Sequence, residues 1–312
     1  MVSPSVSKSS MSMSPSLLSK VIDTSSSVPQ TWVREVVEGV KQALHSLNES
    51  DRFNIVMFAE SPRSFSTGPI RPATYANIEA AVAFLSGATS KGWTDVNAAR
   101  SRLLVRDVNV KRIYELILIS DGRPTKGVLN TRELINLITR DNDLSASIYC
   151  IGIGVQPNRE LLEFLAYRNK GFCSVVARPH RAAAAVRDLL SRLRYPLIKD
   201  VRLNLAGRGI SQVYPSDLPN IHQGERFSVF GRCPGAGPFT IRIAGTNGDR
   251  GVDFTFSRDL ADSLEGDERI ARAWAFRKLH HLYSEIIRRG ETEELRKQIK
   301  QLRKRYKFKT LY

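Results

Sequence analysis

Five oxygen-bearing side chains stand at spacings that could hold a hard metal ion. They come in three separated pieces: Asp23-Thr-Ser25-Ser-Ser27, Thr94 within KGWTDVN, and Asp121 within LISDGRPT. Every donor in the set is an oxygen, from carboxylates and hydroxyls alone. Such a set suits a small divalent ion that wants octahedral oxygen coordination and keeps some waters, Mg²⁺ first and Mn²⁺ as a tolerated substitute. With few formal negative charges facing it, that ion would keep affinity for a carboxylate from another molecule. Alternation along a short extended loop predicts that Asp23, Ser25 and Ser27 point to the same side. Each piece alone has a plainer explanation. Ser25, Ser27 and Thr94 could simply cap helices, and an aspartate after a strand is commonly a turn former. Their joint appearance, in this order, changes the balance.

The elements that must position these residues are legible in the apolar pattern. Leu17 to Ile22 reads as a buried strand ending at Asp23. A helix follows, with Trp32, Val33, Val36, Val37, Val40, Ala43, Leu44 and Leu47 on one face and Pro29 at its start. Phe53–Phe58 reads as a strand, Tyr75–Leu85 as a helix, and a third helix is expected to begin near Thr94. The run Ile113–Ile119 is nearly continuously apolar, as expected of a central strand covered on both faces, and it too stops just short of an aspartate, Asp121. The alternation goes on with a helix over Thr131–Arg140, a strand over Ser147–Ile153 and a helix over Arg159–Ala166. A strand over Gly171–Val176 and a helix over Arg181–Leu193 complete it. This predicts an α/β fold: a doubly wound, Rossmann-like, mostly parallel sheet, with the site outside the carboxyl ends of its strands. Beyond Pro196 the pattern changes to short strands (Lys199–Leu205, Ile210–Tyr214, Arg226–Gly231, Phe239–Ile243 and Val252–Phe256). Two basic helices, split at Gly290, then follow from about Asp267. The predicted organisation is a disordered Ser-rich tail over 1–16, an α/β domain over 17–195, and a β-rich region with basic C-terminal helices over 196–312.

At this point a family resemblance is carried by the residues themselves. VIDTSSSV, LNESDRFNIVMFAE, KGWTDVNAA, LILISDGRPTKG and IYCIGIGV resemble the von Willebrand factor type A domains of inter-alpha-trypsin inhibitor heavy chains and their bacterial relatives. The likeness runs from about Leu17 to Leu193 and continues into VYPSDLPNIHQGERFSVFGR and the tail KRYKFKTLY. In that group a smaller β-rich region and terminal helices follow the A domain, and a β-rich VIT domain often precedes it, where this sequence has its Ser-rich stretch. The resemblance implies a metal-ion-dependent adhesion site (MIDAS) at Asp23, Ser25, Ser27, Thr94 and Asp121. The hydroxyls would bind the ion directly and the aspartates through water, and a partner protein would supply an Asp or Glu. Two positions depart from the pattern. Ser26 and Trp93 stand where relatives usually have glycine, so Ser26 is expected to strain its loop and Trp93 to place a large ring beside the site.

Composition narrows the alternatives. The formal net charge is +16, and half of that excess lies in Asp267–Tyr312, with fourteen Lys/Arg against six Asp/Glu. This favours acidic partners, anionic surfaces or nucleic acid. The run LRKQIKQLRKRYKFK, with Tyr306 and Phe308 interleaved, supports nucleic-acid binding as the alternative function. Against it, Leu295, Ile299 and Leu302 at helical spacing predict a docked helix with a solvated basic face. An adaptor for a large ATPase-like machine is a third reading. No apolar run is long enough to span a membrane, and the first sixteen residues lack the pattern of a secretory or transit signal. Enzyme signatures are missing: the five histidines have no HExxH spacing, and neither GxSxG, a P-loop nor a complete dinucleotide fingerprint occurs. The chain is therefore expected to bind rather than to turn over a substrate. Cys150, Cys173 and Cys233 contain no CxxC pair, and the first two read as reduced thiols in buried strands.

Overall fold

The computed structural model describes residues 16–68, 70–103, 113–142, 146–235, 237–248, 250–262 and 267–308. The tail expected over 1–16 lies outside the described residues except for Ser16, which opens the first strand. That strand, β1 (Ser16–Asp23), leads into α1 (Gln30–Leu44), β2 (Arg52–Phe58), and the short β3 (Arg63–Ser64) and β4 (Arg71–Pro72). Next come α2 (Tyr75–Ser86), α3 (Val96–Leu103), β5 (Ile113–Ser120), α4 (Thr131–Asp141) and β6 (Ser147–Ile153). The α/β part closes with α5 (Arg159–Arg168), β7 (Cys173–Val176) and α6 (Ala182–Arg192).

Strands β1, β2, β5, β6 and β7 are parallel, in the order β2-β1-β5-β6-β7, while β3 and β4 pair antiparallel with β2 at the edge. The fold is the doubly wound α/β sheet that the alternation predicts. The two edge strands are additions that periodicity could not signal, because two residues carry no period. Chain order reverses between β1 and β5, which makes the crevice above that pair the topological switch point where open α/β sheets bind ligands. In parallel register Asp23 is the last residue of β1, and Ser120 the last of β5 beside it.

Both faces of the sheet are covered, as continuous apolar strands require. One face packs Leu18, Ile22, Ile117, Ile119 and Tyr149 under α1, α2 and α6. The other packs Val21, Val56, Leu116, Leu118 and Cys150 under α3, α4 and α5, with Ile287 from the C-terminal region joining it. Cys150 is fully buried and pairs in register with half-buried Cys173 across β6 and β7, and both thiols are free.

The remaining elements are β8 (Pro196–Gly207), β9 (Ser211–Tyr214), β10 (Ile221–His222), β11 (Phe230–Arg232), β12 (Pro238–Asn247) and β13 (Arg250–Asp259), then α7 (Glu268–Arg289) and α8 (Glu293–Tyr306). They form an antiparallel sheet β10-β8-β12-β13, a two-stranded β11-β9 ribbon and a helical hairpin. The strand expected over Arg226–Gly231 is reduced to Phe230–Arg232. The helices break at Gly290, whose φ of 101° suits glycine alone. Leu295, Ile299 and Leu302 dock against Trp274, Leu279 and Leu282, so α8 is a packed helix with a basic outer face. Tyr306 lies edge-on to Trp274, and Phe308 edge-on to Phe276 under the Arg272 guanidinium. Helix α7 leans on the α/β part: Arg132 and Asn136 of α4 both donate to the Ile287 carbonyl, at 3.0 and 2.8 Å. No described helix is long and apolar enough to cross a membrane.

Candidate metal centre

Three loops meet over the switch point. The segment after β1 carries Ser25 and Ser27, the segment before α3 carries Thr94, and the segment after β5 carries Asp121. Main-chain hydrogen bonds lace them together: Ser26 N donates to Gly92 O at 2.9 Å, and Thr125 N and Lys126 N donate to Thr94 O at 2.9 and 3.1 Å. The β6–α5 loop joins through Asn158 N, which donates to Asp121 O at 2.7 Å.

The hydroxyls of Ser25, Ser27 and Thr94 form a triangle with oxygen separations of 2.9, 3.1 and 2.7 Å. Thr94 donates to Ser25, and Ser25 donates in turn to Asp23 Oδ1 at 2.6 Å. Because its proton is committed to Asp23, the Ser25 oxygen keeps its lone pairs for the side facing the other two hydroxyls. Asp23 also accepts from Ser25 N at 2.9 Å and, on Oδ2, from Ser120 Oγ at 2.6 Å. The carboxyl is fully buried. Burial pushes its pKa up to about 6, against the pull of the hydrogen bonds from Ser120 and Ser25, and the neighbouring Asp121 charge adds to the rise. Asp121 sits just after β5, its Oδ1 accepting from Arg123 N at 3.0 Å, and is almost fully buried. Ser25 and Thr94 are fully buried while Ser27 reaches the surface, so the triangle opens to solvent at one corner.

All five sequence-predicted residues are thus at one end of the sheet, three of them in mutual contact and Asp23 bonded to the group. The plainer capping roles fall away. Helix α1 starts after Pro29 with no side-chain cap, and α3 is capped by Asp95, whose Oδ1 accepts from Ala98 N at 2.7 Å. That helix begins at Val96 and not at Thr94, which frees the threonine hydroxyl. Convergence of Ser25 and Ser27 comes from a turn, with Val28 N donating to Ser25 O at 3.0 Å, and not from extended alternation. Ser26 is exposed and is not among the residues with positive φ, so the strain expected of it is absent. Trp93 projects into solvent, 58% exposed.

Two positioning residues were not legible in advance. Ser120 bonds Asp23 and accepts from Gly122 N at 2.8 Å, and Thr125 Oγ1 accepts from Thr94 N at 2.8 Å. The signal was their adjacency to the motif, a serine directly before Asp121 and a threonine in the same loop.

The donor set fits a small hard cation. Oxygens bound to Mg²⁺ at about 2.0–2.1 Å lie about 2.8–3.0 Å apart along an octahedral edge, whereas Ca²⁺ at about 2.3–2.6 Å needs edges of about 3.3–3.7 Å. The triangle's sides, 2.7 to 3.1 Å, are hydrogen-bond contacts that also fall near the smaller ion's edge length, so seating such an ion would need little movement of the three oxygens. Among the described residues no three His, Cys, Asp or Glu side chains cluster as metal ligands. Any ion held here would therefore depend on hydroxyl oxygens.

Comparison with known families agrees with this architecture, since the model of the von Willebrand factor type A domain matches residues 17–175. The chain belongs to that family. The A domain is similar to inter-alpha-trypsin inhibitor heavy chains. Human heavy chain H6 is 28% identical over 72% of this chain and 18% of its own length, and human heavy chain H4 is 24% identical over 93% and 33%. The chain therefore spans about a fifth to a third of the curated relatives it matches. Among solved structures, a von Willebrand factor type A protein from Catenulispora acidiphila aligns with a TM-score of 0.64 at 16% identity, covering 93% of this chain and 82% of that one. The ArnB paralog VWA2 from Sulfolobus acidocaldarius aligns with a TM-score of 0.55 at 16% identity, covering 96% and 83%. Both likenesses extend past the A domain into the β-rich and helical elements.

Proposed function

We propose that this A domain is a divalent-cation-dependent protein-binding module of the MIDAS type, with residues 17–195 as the binding unit and 196–312 as its appended support. The observation that carries the reading is the triangle of Ser25, Ser27 and Thr94 hydroxyls at octahedral-edge spacing. These three would hold Mg²⁺ or Mn²⁺ directly. Asp23 takes the Ser25 proton and so turns that oxygen's lone pairs toward the centre, and Ser120 fixes the carboxylate from behind. Asp121 contributes negative charge from the far side of the crevice. When bound, the ion supplies a Lewis-acidic position for one carboxylate oxygen of a partner protein. The three hydroxyls that would ligate it are neutral, so no protein carboxylate binds the ion directly and it keeps affinity for an outside carboxylate; the solvent-facing corner at Ser27 is the side from which a partner's Asp or Glu can arrive. The geometry favours binding over turnover, because the nearby carboxylate of Asp95 is held as the cap of α3 and that of Glu60 lies beside Lys126.

The nucleic-acid alternative finds less in the tertiary structure. Tyr306 and Phe308, the rings it needs for base stacking, are engaged with Trp274 and Phe276. The test of the main reading is calorimetric titration of Mg²⁺ and Mn²⁺ into the wild-type chain and the Ser27→Ala and Thr94→Ala variants. One-site binding that both variants lose is the expected result. Titration heats unchanged in both variants would sink it.

A further inference from the structure

The loops at the carboxyl end of the sheet, where the hydroxyl triangle lies, carry large apolar side chains that no internal packing explains. Trp93, Leu129 and Val155 are 58%, 58% and 83% exposed, and each stands on a different loop at the carboxyl end of the sheet. Single exposed apolar residues are ordinary, but three on the loops that converge on one polar site mark a contact surface. Their backbones are held. Trp93 directly precedes Thr94, whose N–H and carbonyl are both bonded to the β5–α4 loop. Leu129 precedes Asn130, which caps α4 by accepting from Glu133 N at 3.0 Å. A residue in that place commonly packs against the fourth residue of the helix, here Leu134, yet Leu134 is fully buried while Leu129 stays in water. Val155 follows Gly154, whose φ of 109° turns the chain outward at the end of β6. Exposed Lys91, Arg123 and Lys126 lie on the loops that carry Trp93 and Leu129; Arg123 donates to the Gln156 carbonyl, and Lys126 stands 3.6 Å from the exposed Glu60 carboxylate.

Resting on the MIDAS reading above, we infer that Trp93, Leu129 and Val155 form a recognition rim, and that the partner segment carries bulky apolar side chains beside the acidic residue it offers to the ion. A carboxylate alone gives the ion no means of choosing among acidic surfaces. An apolar rim held on bonded loops supplies that choice at little ordering cost, and the neighbouring cations favour an acidic context.

The test uses the full chain with Mn²⁺ and two labelled synthetic peptides read by fluorescence anisotropy. One is a Gly/Ser peptide with a single central Asp, and the other carries Leu two positions to either side of that Asp. The expected result is that the Leu-bearing peptide binds at least about tenfold tighter, as burial of even one or two apolar side chains gives. Trp93→Ser should remove most of that preference, and the combined Trp93→Ser, Leu129→Ser, Val155→Ser variant all of it. Mn²⁺ binding by calorimetry should stay unchanged in both, because the substituted side chains are exposed and bear no ligand atom. With Mn²⁺ bound, equal affinity for the two peptides, no binding of either, or a preference that survives the triple substitution overturns the rim alone. Absence of Mn²⁺ binding in the wild type overturns the metal reading, and the rim with it.

Discussion

Asp23→Asn should make the metal-free protein more stable while abolishing its response to metal. The carboxyl is fully buried and its pKa is raised from 3.8 to about 6, so at neutral pH the folded state carries a charge that it holds less well than the unfolded chain does. A raised carboxylate contributes its best stability when protonated, and that contribution is lost as pH rises from 3.8 through about 6. A shift of roughly two units corresponds to about 3 kcal/mol as an upper figure. The isosteric amide removes the charge, although its second N–H and the Ser120 O–H must then find new acceptors, which offsets part of the gain. Its oxygen can keep the bonds from Ser25 N and Ser25 Oγ, and its amide group can donate to Ser120 Oγ, which rotates. Urea unfolding of both proteins at neutral pH, in EDTA and in excess Mn²⁺, reads the two effects. In EDTA the variant should be the more stable by about 1–3 kcal/mol. Added Mn²⁺ should stabilise the wild type in proportion to the logarithm of its concentration and leave the variant unmoved. A variant less stable than wild type in EDTA would show that the hydrogen bonds to the carboxylate outweigh its desolvation, and the electrostatic reasoning would fail. Equal Mn²⁺ stabilisation of the two proteins would refute the role given to Asp23.

Stability should also fall as pH rises from 6.5 to about 9 through His222. Burial alone would lower its pKa, but the carboxylates of Glu115 and Glu225 overcome this and push it up to about 9, and a raised histidine contributes fully below 6.5 and nothing above its folded value. Denaturant titrations across that window should show a loss of up to about 3 kcal/mol, and the paired His222→Gln, Glu115→Gln variant, which leaves no unpartnered buried carboxylate, should flatten the slope. A slope that survives in the paired variant would assign it elsewhere. Gly39→Ala should destabilise by about 1–3 kcal/mol despite alanine's better helix propensity, because a Cβ there would lie 2.7 Å from the Ala183 carbonyl oxygen where α1 crosses α6. Thermal melting that shows no loss would mean that the two helices can separate freely. Leu302→Ala should cost about 2–5 kcal/mol by opening the α7–α8 core, yet leave Mn²⁺ affinity in the folded protein unchanged. Calorimetry showing weaker Mn²⁺ binding would mean that loosening the hairpin is transmitted to the hydroxyl triangle through the α7–α4 contacts.

Most of the fold was present in the sequence because its signals are local. Nearly continuous apolar runs such as Ile113–Ile119 and the one-sided helix from Gln30 to Leu44 announce strands covered on both faces and the helices that cover them. The five oxygen side chains were likewise readable, since each follows a strand end or precedes a helix at fixed distance. The sequence by itself therefore determined the α/β alternation and which loops bring the five oxygen side chains to one end of the sheet. Other features were decided only in three dimensions. Whether Thr94 caps a helix or joins Ser25 and Ser27 depends on Asp95 taking the cap, a competition between adjacent residues that spacing cannot resolve. The edge strands β3 and β4 exist because β2 offers them an unpaired edge. Glu115, a charge within the apolar run IYELILI, finds its partner in His222, 107 positions away, at 2.5 Å. A buried charge is costly unless a counter-group or hydrogen-bond donors are brought to it. That pairing, like the meeting of three hydroxyls from two distant loops, is a property of the packed chain, because contact between residues far apart in sequence is fixed by how the layers close and by no local pattern.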